Sequence, residues 1–508
     1  MKALPMSDFT PTDEQEEILA FVAGNPSSSL SIAALAGTGK TSTLRLLAPK
    51  LPSSPAPLAL AFNKRISEAL KLALPSSFEI QTLNALGHRA WGRLVGKKLQ
   101  VDKHKPWKIV REQVIASSGS VLPKEEQAVA VSLLNAARIH GMTPEGKAHI
   151  GVKTFLEDSE AGWETIISFL AIPDPHPETL AVARSALKSS VEAAYAGSID
   201  FLDQQFMTAC FSGSLPRFAT ILLDEAQDVS VLDAEMLRRT ASGKVILVGD
   251  AFQSIYGFRG SQQNAIENLT AQFSAASLPL TTCFRCSKAV VAEAALIVPT
   301  IRAFEKAPEG SVRELDRNWS LDTFSPNCAV LCRNSAPLFR LAFALLAEQR
   351  QIAFNGKDIG ARIRAFIGKV SKDETRSSSE LLKWLEEYIE KLPESRRDSA
   401  EDILECVAAI PGGTVTEILI NLEKLLLQDS GNINLSTIHG AKGLEWDTVF
   451  LLDRKLMQRK LHDPNVPAST KQQERNLEYV AVTRAKKHLY FITSQKRDRR
   501  NNEQDEAE

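Results

Sequence analysis

The sequence is poor in cysteine, in net charge and in long apolar runs. Its six cysteines are scattered over 508 residues, which excludes the disulfide framework of a small secreted domain and favours a reducing compartment. A formal net charge of −1 excludes a uniformly basic surface, so any nucleic-acid site must be a local patch. No apolar run approaches the length of a membrane span, and residues 1–15 lack the apolar core of a signal peptide. We therefore expect a cytoplasmic protein with no membrane partner.

The composition that remains is that of a globular protein. Hydrophobic residues make up 44% of the chain and charged residues 24%, which are ordinary values for such proteins. A chain of this length is too long for a single hydrophobic core, so we expect about three or four domains. We find no internal repeat, and the chain is therefore not predicted to be a solenoid.

Residues 30–47 predict a strand, a glycine loop and a helix. The loop reads Ala36-Gly37-Thr38-Gly39-Lys40-Thr41, and Ser42 begins the helical stretch. In a phosphate-binding loop the glycines let backbone amides curl around a phosphate. The lysine then reaches the outer phosphates, and the hydroxyl of Thr41 is offered to Mg²⁺. The strict pattern requires a glycine where Ala34 stands, and an ordinary glycine turn is the alternative. The strand–loop–helix context favours a nucleotide site that takes ATP and Mg²⁺.

A second stretch, residues 218–228, predicts a buried strand that ends in adjacent carboxylates. Asp224 is expected to hold Mg²⁺, and Glu225 to act as the general base that polarises the attacking water. Adjacent acids are rarely structural, because like charges repel. Gln227 is placed to sense the outer phosphate. A third strand, residues 244–250, leads to Gln253, which is a second candidate sensor of that phosphate.

Residues that suit a nucleic-acid contact occur in three places. Asn63, Lys64, Thr82 and His88 follow two short strands, although polar loop ends explain either group alone. Residues 89–111 are basic and include Trp91, Trp107 and Lys105, which fits a nucleic-acid patch and a solvated surface about equally well. Tyr256 and Phe258, beside Arg259, are either stacking platforms for bases or core residues.

The remaining stretches predict how the domains are arranged. Residues 124–196 and 371–430 have helical patterns and read as two insertions, and the α/β pattern resumes at residue 433. Cys283 and Cys286 have a zinc-like spacing, but Cys328 and Cys332 do not. We therefore interpret these cysteines as core residues.

Four motifs together carry a family resemblance. They are Asp-Glu-Ala-Gln-Asp (224–228), Gly-Asp-x-x-Gln-Ser-Ile-Tyr-Gly-x-Arg-Gly (249–260), Ala-Lys-Gly-Leu-Glu (441–445) and Val-Thr-Arg-Ala-Lys (482–486). In this order they resemble the UvrD/Rep/PcrA group of superfamily 1 DNA helicases. The resemblance implies an α/β fold with two RecA-like parallel-sheet domains of the P-loop type and two helical insertions. It predicts domain 1A (1–92 and 198–280), insertion 1B (93–197), domain 2A (281–370 and 431–495), a reduced insertion 2B (371–430) and a disordered tail (496–508).

The resemblance also implies roles for individual residues. It makes Gln15 a reader of adenine, Phe284 a platform that stacks on adenine, and Glu445 a contact to the nucleotide sugar. Arg285 and Arg484 match the two arginine fingers. Thr437 and His439 match contacts to the DNA backbone.

The sequence departs from the family in three places. Phe258 stands where a tryptophan is typical, and Phe62 is displaced by one residue before Asn63, a variant similar to that of the F-box branch. The second insertion is also much shorter than that of the family. We predict an ATP-dependent translocase on single-stranded and tailed duplex DNA, with 3′–5′ helicase polarity implied by the resemblance. One alternative is an ATPase subunit that senses DNA or nucleotide and licenses a protein partner, such as a nuclease or a repair or defence factor. A further alternative is a phosphate-loop ATPase that is unconnected to DNA.

Overall fold

The computed structural model describes residues 10–61, 64–116, 122–145, 153–170, 172, 177–255, 264–315, 319–371, 375–392, 394–464 and 466–494. The chain forms two compact units. The first contains the residues up to Cys283 together with Leu392–Arg396, and the second contains Phe284–Lys391 and the residues from Arg397 onward. The predicted positions Asn63, Tyr256, Phe258 and Arg259, the side chain of Lys64 and the predicted tail lie outside the described residues.

The first unit is built on a six-stranded parallel sheet. Its strands, in spatial order, are β3 (Glu79–Thr82), β2 (Leu58–Ala61), β6 (Phe218–Leu223), β7 (Ala241–Gly249), β1 (Leu30–Ala34) and β8 (Ala276–Leu280). Such strands are buried on both faces and therefore read as continuous apolar runs, as β1 and β6 do in the sequence. Because all the strands run the same way, their carboxyl ends lie at one edge of the sheet.

Alternate strand residues divide between two cores, one on each face of this sheet. Ala59, Leu222 and Ile246 pack with residues of the first helices, whereas Leu60 and Leu223 belong to a larger core that continues into the first insertion. This division follows from the two-residue period of a strand, which points successive side chains to opposite faces.

Helices cover this sheet and form the insertion. They are α1 (Asp13–Gly24), α2 (Lys40–Leu47), α3 (Lys64–Ala73), α4 (Leu83–Val95), α5 (Lys105–Ala116), α6 (Lys124–Ile139), α7 (Glu160–Leu170), α8 (Pro177–Tyr195), α9 (Asp203–Cys210), α10 (Val231–Thr240) and α11 (Ala265–Gln272). Two short parallel strands, β4 (Gln100–Val101) and β5 (Ser198–Ile199), lie between α4 and α9 in the chain.

The second unit is built on another six-stranded parallel sheet. Its order is β11 (Ser311–Glu314), β16 (Ala485–Ile492), β15 (Trp446–Leu452), β12 (Cys328–Cys332), β14 (Ile433–Thr437) and β13 (Ile352–Asn355). Two shorter strands, β9 (Thr282–Cys283) and β10 (Arg302–Ala303), form a separate two-stranded sheet. The helices are α12 (Lys288–Ala295), α13 (Ala336–Ala347), α14 (Lys357–Val370), α15 (Ser378–Glu390), α16 (Glu394–Ala409), α17 (Val415–Leu426), α18 (Lys455–His462) and α19 (Ala468–Val482).

The two parallel sheets confirm the predicted α/β fold with two RecA-like domains. Helices α5 to α8 and α15 to α17 occupy the two stretches predicted as insertions, while the exact domain limits remain predictions. The cysteines are buried, as interpreted from the sequence, and burial raises the pKa of Cys332 to about 12. Among the described residues, no helix is both long and apolar enough to cross a membrane.

Candidate functional site

The glycine loop joins the carboxyl end of β1 to the start of α2. Gly37 and Gly39 have φ values of 71° and 82°, a left-handed conformation that a residue with a Cβ rarely adopts. The hydroxyl of Thr38 donates to the carbonyl of Leu35 at 2.8 Å and closes the turn. Lys40 is the first residue of α2. The loop therefore has the backbone geometry and the helix start that a phosphate requires.

The first turn of this helix carries the remaining predicted loop residues. Ala36, the first residue of the loop, is fully buried, whereas in the first turn of α2 Ser42 is half-buried and Thr41 is exposed. The Thr41 hydroxyl is therefore accessible to a ligand at the carboxyl edge of the sheet.

The predicted acid pair follows β6, two strands away from the loop strand. Lys40 Nζ lies 3.7 Å from Glu225 Oε2, so the loop and the acid pair share one site. Glu225 has a φ of 55°, a left-handed conformation that is strained for a residue with a side chain. Burial, and next the charge of Glu225, raise the pKa of Asp224 to about 6. A cation at this position would relieve both effects.

The donor set fits Mg²⁺. This ion is usually held by one or two carboxylates together with phosphate oxygens and water, so a dedicated protein cage is not needed. Asp224 and the hydroxyl of Thr41 are hard oxygen donors of this kind. Within the described ranges no group of three or more His, Cys, Asp or Glu residues is arranged to hold a metal ion.

A chain of hydrogen bonds runs from the acid pair to the predicted phosphate sensor. Gln227 Nε2 donates to Glu225 Oε2 at 2.6 Å, and Gln227 Oε1 accepts from the backbone N–H of Asp250 at 3.0 Å. Asp250 in turn accepts from Gln253 Nε2 at 2.7 Å. A Cβ on Gly249 would lie 2.6 Å from Gln227 Oε1, so only glycine allows this approach. Asp250, which joins the two glutamines, is additional to the site residues predicted from the sequence.

Gln15, the predicted adenine reader, is fully buried. It is the N3 residue of a capping box, in which its Oε1 accepts from the backbone N–H of Thr12 at 3.1 Å. Its Nε2 donates to Thr43 Oγ1 at 2.9 Å, and Thr43 donates to the carbonyl of Gly39 at 3.1 Å. Both amide atoms of Gln15 are thus already hydrogen-bonded, Oε1 within the cap of α1 and Nε2 towards the phosphate loop through Thr43, and adenine reading remains a proposal.

In the second unit, Arg285 and Glu445 form an ion pair. Arg285 Nε lies 2.7 Å from Glu445 Oε2. Nη1 of Arg285 is buried and has no hydrogen-bond partner among the described residues. Phe284 is 39% exposed and packs on Phe304 with the ring centroids 4.9 Å apart. One face of the predicted adenine platform is therefore supported from within its own unit.

Arg484 is 1% exposed and is held by its own unit. Its Nε donates to the carbonyl of Val480 at 3.0 Å, and its Nη1 donates to the carbonyl of Leu444 at 3.1 Å. The Leu444 bond places Arg484 next to Glu445 and hence near Arg285. The three predicted nucleotide residues lie at the amino ends of β15 and β16, where Trp446 pairs with Ala485.

The predicted DNA contacts of this unit lie at the other edge of the sheet. Thr437 is the last residue of β14, and its Oγ1 accepts from the backbone N–H of Gly440 at 3.2 Å. His439 lies within the same turn. The adjacent strand ends in Asn355, whose Nδ2 donates to the carbonyl of Gly440 at 3.3 Å. Asn355 was not predicted, because only the parallel register of β13 and β14 brings it beside Thr437.

In the first unit, Thr82 caps α4, where its Oγ1 accepts from the backbone N–H of Ala85 at 3.2 Å. His88 is half-buried on the same helix. Asn84 was not singled out from the sequence, and its Nδ2 donates to the carbonyl of Phe201 at 2.9 Å. No local pattern indicates this contact, since the two residues are far apart in the chain.

The basic stretch is divided by burial. Trp91 is completely buried and its Nε1 donates to the carbonyl of Ala194, so its interpretation as part of a nucleic-acid patch is wrong. The same holds for Lys105, which is 2% exposed and lies 2.5 Å from Asp203. Trp107 is 46% exposed. The remaining exposed cations are Arg89, Arg93, Lys97, Lys98, Lys103, Lys108 and Arg111.

The sequence also matches two patterns of known protein families. The family described as the UvrD/REP helicase N-terminal domain matches residues 211–274. The family described as the UvrD-like helicase C-terminal domain matches residues 345–496. The first match contains the acid pair and the second contains Glu445 and Arg484.

Similar proteins of longer sequence have been named as DNA helicases. F-box DNA helicase protein 1 of Schizosaccharomyces pombe is 27% identical, over 92% of this chain and 55% of the relative. F-box DNA helicase 1 of Gallus gallus is 24% identical over 96% of this chain and 50% of the relative. ATP-dependent DNA helicase UvrD2 of Mycobacterium tuberculosis is 24% identical over 94% of this chain and 77% of the relative. The chain thus spans about half the length of the two F-box relatives.

Among solved structures, the helicase nonstructural protein 10 of an arterivirus aligns with 94% of this chain and 61% of its own, at 11% identity and a TM-score of 0.32. That similarity is too low to support an inference. The two family matches, the named relatives and the two parallel sheets agree with one another. Matches to both the N-terminal and the C-terminal domain of UvrD-type helicases, in that order along the chain, support a UvrD/Rep-like helicase.

Proposed function

We propose that the protein is an ATP-driven translocase on single-stranded DNA and a 3′–5′ DNA helicase. The observation that carries the proposal is the approach of Lys40 to Glu225, 3.7 Å apart, at the carboxyl edge of a parallel sheet. A loop lysine beside a strand-end carboxylate is the arrangement that phosphoryl transfer to water requires. The family matches support DNA as the nucleic acid along which the protein translocates. The 3′–5′ polarity rests on the resemblance to UvrD-type helicases.

Each predicted nucleotide-site residue of the first unit then has a role in hydrolysis. The loop amides and Lys40 bind the phosphates and fix their position. Thr41 and Asp224 would hold Mg²⁺, which would supply positive charge against the phosphate oxygens. Glu225 orients the attacking water and accepts its proton. Its strained backbone and its bond from Gln227 keep the carboxylate in one orientation.

Two further sets of residues would couple hydrolysis to movement. Gln253 would contact the outer phosphate, and its hydrogen bonds through Asp250 and Gln227 would link this contact to Glu225. Arg285 and Arg484 stabilise the charge that develops on the transferred phosphoryl group, and this interaction drives closure of the two RecA-like domains. For Arg285 this requires release from Glu445, which then becomes available for the nucleotide sugar.

The experiment measures ATP hydrolysis by the purified protein with and without a single-stranded oligonucleotide, and then unwinding of duplexes with a 3′ or a 5′ tail. We expect DNA to stimulate hydrolysis, and unwinding only of the 3′-tailed duplex. Lys40→Ala should abolish hydrolysis, whereas Lys50→Ala, an exposed lysine after α2, should not. A rate of ATP hydrolysis that is the same with and without DNA would refute the proposal. Stimulated hydrolysis without unwinding would favour the alternative, an ATPase that licenses a partner enzyme.

A further inference from the structure

The first turn of α1 carries an acidic residue, Glu14, to which the proposed function gives no role. Glu14 is half-buried and stands directly before Gln15. A carboxylate in the first turn of a helix interacts favourably with the helix dipole, so its position alone needs no further explanation. Glu14 differs because both of its oxygens accept hydrogen bonds from one residue, Thr281, which is far away in the chain.

The two hydrogen bonds hold Thr281 through its backbone and through its side chain. The backbone N–H of Thr281 donates to Glu14 Oε2 at 2.8 Å, and the Thr281 hydroxyl donates to Glu14 Oε1 at 2.5 Å. Hydrogen bonds to an ionised carboxylate are shorter and stronger than those between neutral groups. Because one carboxylate binds both groups, it restrains the orientation of Thr281 as well as its position.

Thr281 stands at the end of the first sheet, just before the chain enters the second unit. Strand β8 ends at Leu280, the first unit ends at Cys283, and Phe284 is the first residue of the second unit. Three residues of extended chain span at most about 10–11 Å, so the position of Thr281 limits where Phe284 can lie. Phe284 is the predicted platform for adenine. Glu14 therefore holds the start of a short connection that leads to a predicted nucleotide contact.

The same turn of α1 is also bonded to the phosphate loop. Gln15 donates to Thr43 at 2.9 Å, and Thr43 donates to the carbonyl of Gly39 at 3.1 Å. From the other end of the loop, the backbone N–H of Leu35 donates to the carbonyl of Leu280 at 3.0 Å. The phosphate loop, the first turn of α1 and the start of the connection thus form one hydrogen-bonded frame.

We propose that Glu14 is a positioning residue for recognition of the adenine base of ATP. It fixes Thr281 against the frame that holds the phosphates, and so fixes the point from which the chain continues to Phe284. A nucleotide that is bound at its phosphates and at its base binds well only when both contacts are held in the correct geometry. Glu14 does not touch the nucleotide. The proposal rests on the proposed function and deepens it by assigning a residue to the recognition of the base.

The test separates the base of the nucleotide from its phosphates. KM and kcat for ATP are measured with saturating single-stranded DNA, and the dissociation constant of ADP is measured by titration calorimetry. The inhibition constant of inorganic tripolyphosphate, which has no base, is measured in parallel. Melting temperatures show whether each variant is folded.

Four single variants are compared with the wild-type protein. Glu14→Ala removes the acceptor, Thr281→Val removes the hydroxyl donor, and Thr281→Ser keeps that donor. Glu16→Ala removes an exposed carboxylate from the same turn of α1 and is the matched control.

We expect Glu14→Ala to raise KM for ATP and the dissociation constant of ADP roughly 5-fold or more, the loss that a misplaced stacking ring causes. The value of kcat should change little, because stacking on adenine contributes equally to the ground state and the transition state. Thr281→Val should show a smaller effect, since its backbone N–H still donates to Glu14. Thr281→Ser and Glu16→Ala should behave like the wild type. The inhibition constant of tripolyphosphate should be the same in all of these proteins.

A double-mutant cycle with Phe284→Ala identifies the residue through which Glu14 acts. Phe284→Ala should itself weaken ADP binding roughly 5-fold or more, and the addition of Glu14→Ala should cause no further loss. Normal ADP affinity in either single variant, an equal loss of tripolyphosphate binding in Glu14→Ala, or additive losses in the double variant would overturn this proposal alone. Absence of ATP hydrolysis by the wild-type protein would overturn the proposed function as well.

Discussion

Replacement of Glu225 by glutamine tests the acid pair through both catalysis and stability. Glu225 Oε2 accepts a 2.6 Å hydrogen bond from Gln227 and lies 3.7 Å from Lys40 Nζ. A glutamine keeps the size of the side chain, and its oxygen can still accept from Gln227, but it cannot take a proton from water. Loss of a positioned general base lowers turnover about 10²–10⁴-fold. We expect a loss of this size in Glu225→Gln while ATP still binds.

The effect on stability follows from Asp224. Burial and the charge of Glu225 raise its pKa from 3.8 to about 6. A carboxyl group whose pKa rises on folding reduces stability as the pH increases through the interval between these two values. The full shift corresponds to about 3 kcal/mol above this interval. Without the Glu225 charge the pKa of Asp224 falls, so the nucleotide-free variant should lose less stability between about pH 4 and about pH 8 than the wild-type protein does.

The assays are steady-state ATP hydrolysis and thermal unfolding at these two pH values. Glu17→Gln, an exposed position on α1, is the matched control and should change neither quantity. Near-normal turnover by Glu225→Gln would remove this residue from the role of base. A larger loss of stability with rising pH than in the wild-type protein would refute the electrostatic reasoning.

The remaining predictions concern buried contacts. Arg138→Ala should lower the free energy of unfolding, measured by urea denaturation, by about 3–5 kcal/mol, because it leaves two buried aspartates without their main counter-charge. A loss below about 1 kcal/mol would contradict this. Arg285→Ala should lower turnover about 10³-fold with an unchanged melting temperature, whereas Arg484→Ala should lower both, because its guanidinium is buried and bonded to backbone carbonyls. Equal melting temperatures of the two variants would argue against the structural role of Arg484. Gly249→Ala should displace Gln227 and destabilise the protein by about 1–3 kcal/mol. It should also weaken the stimulation of ATP hydrolysis by DNA. Normal stimulation in this variant would show that the hydrogen bonds of Gln227 have no role in it.

Much of the nucleotide site was predictable because its residues are contiguous in the chain. A glycine loop must follow a strand and precede a helix to bind a phosphate, so the loop at Lys40 is encoded within about a dozen residues. The pair Asp224 and Glu225 likewise stands directly after an apolar strand in the sequence. The two parallel sheets were predictable from continuous apolar runs alternating with helical stretches, because strands covered on both faces require such runs.

Burial was predictable only in part, because it depends on residues that are distant in the chain. Trp91 and Trp107 stand in the same basic stretch and look alike in sequence, yet the first is fully buried and the second is 46% exposed. Gln15 resembles a base reader, but the threonine cap before it and Thr43 use both ends of its amide.

The sequence by itself determined the resemblance to UvrD/Rep-like helicases, the phosphate loop, the acid pair and the α/β class, since each depends on short-range order along the chain. The tertiary structure alone decided that Arg484 is buried, that Asn355 lies beside Thr437 and that Asn84 donates to the carbonyl of Phe201. These three facts arise from strand register and from packing between segments far apart in the chain. Such contacts are set by the free energy of the whole fold, which no local pattern of residues specifies.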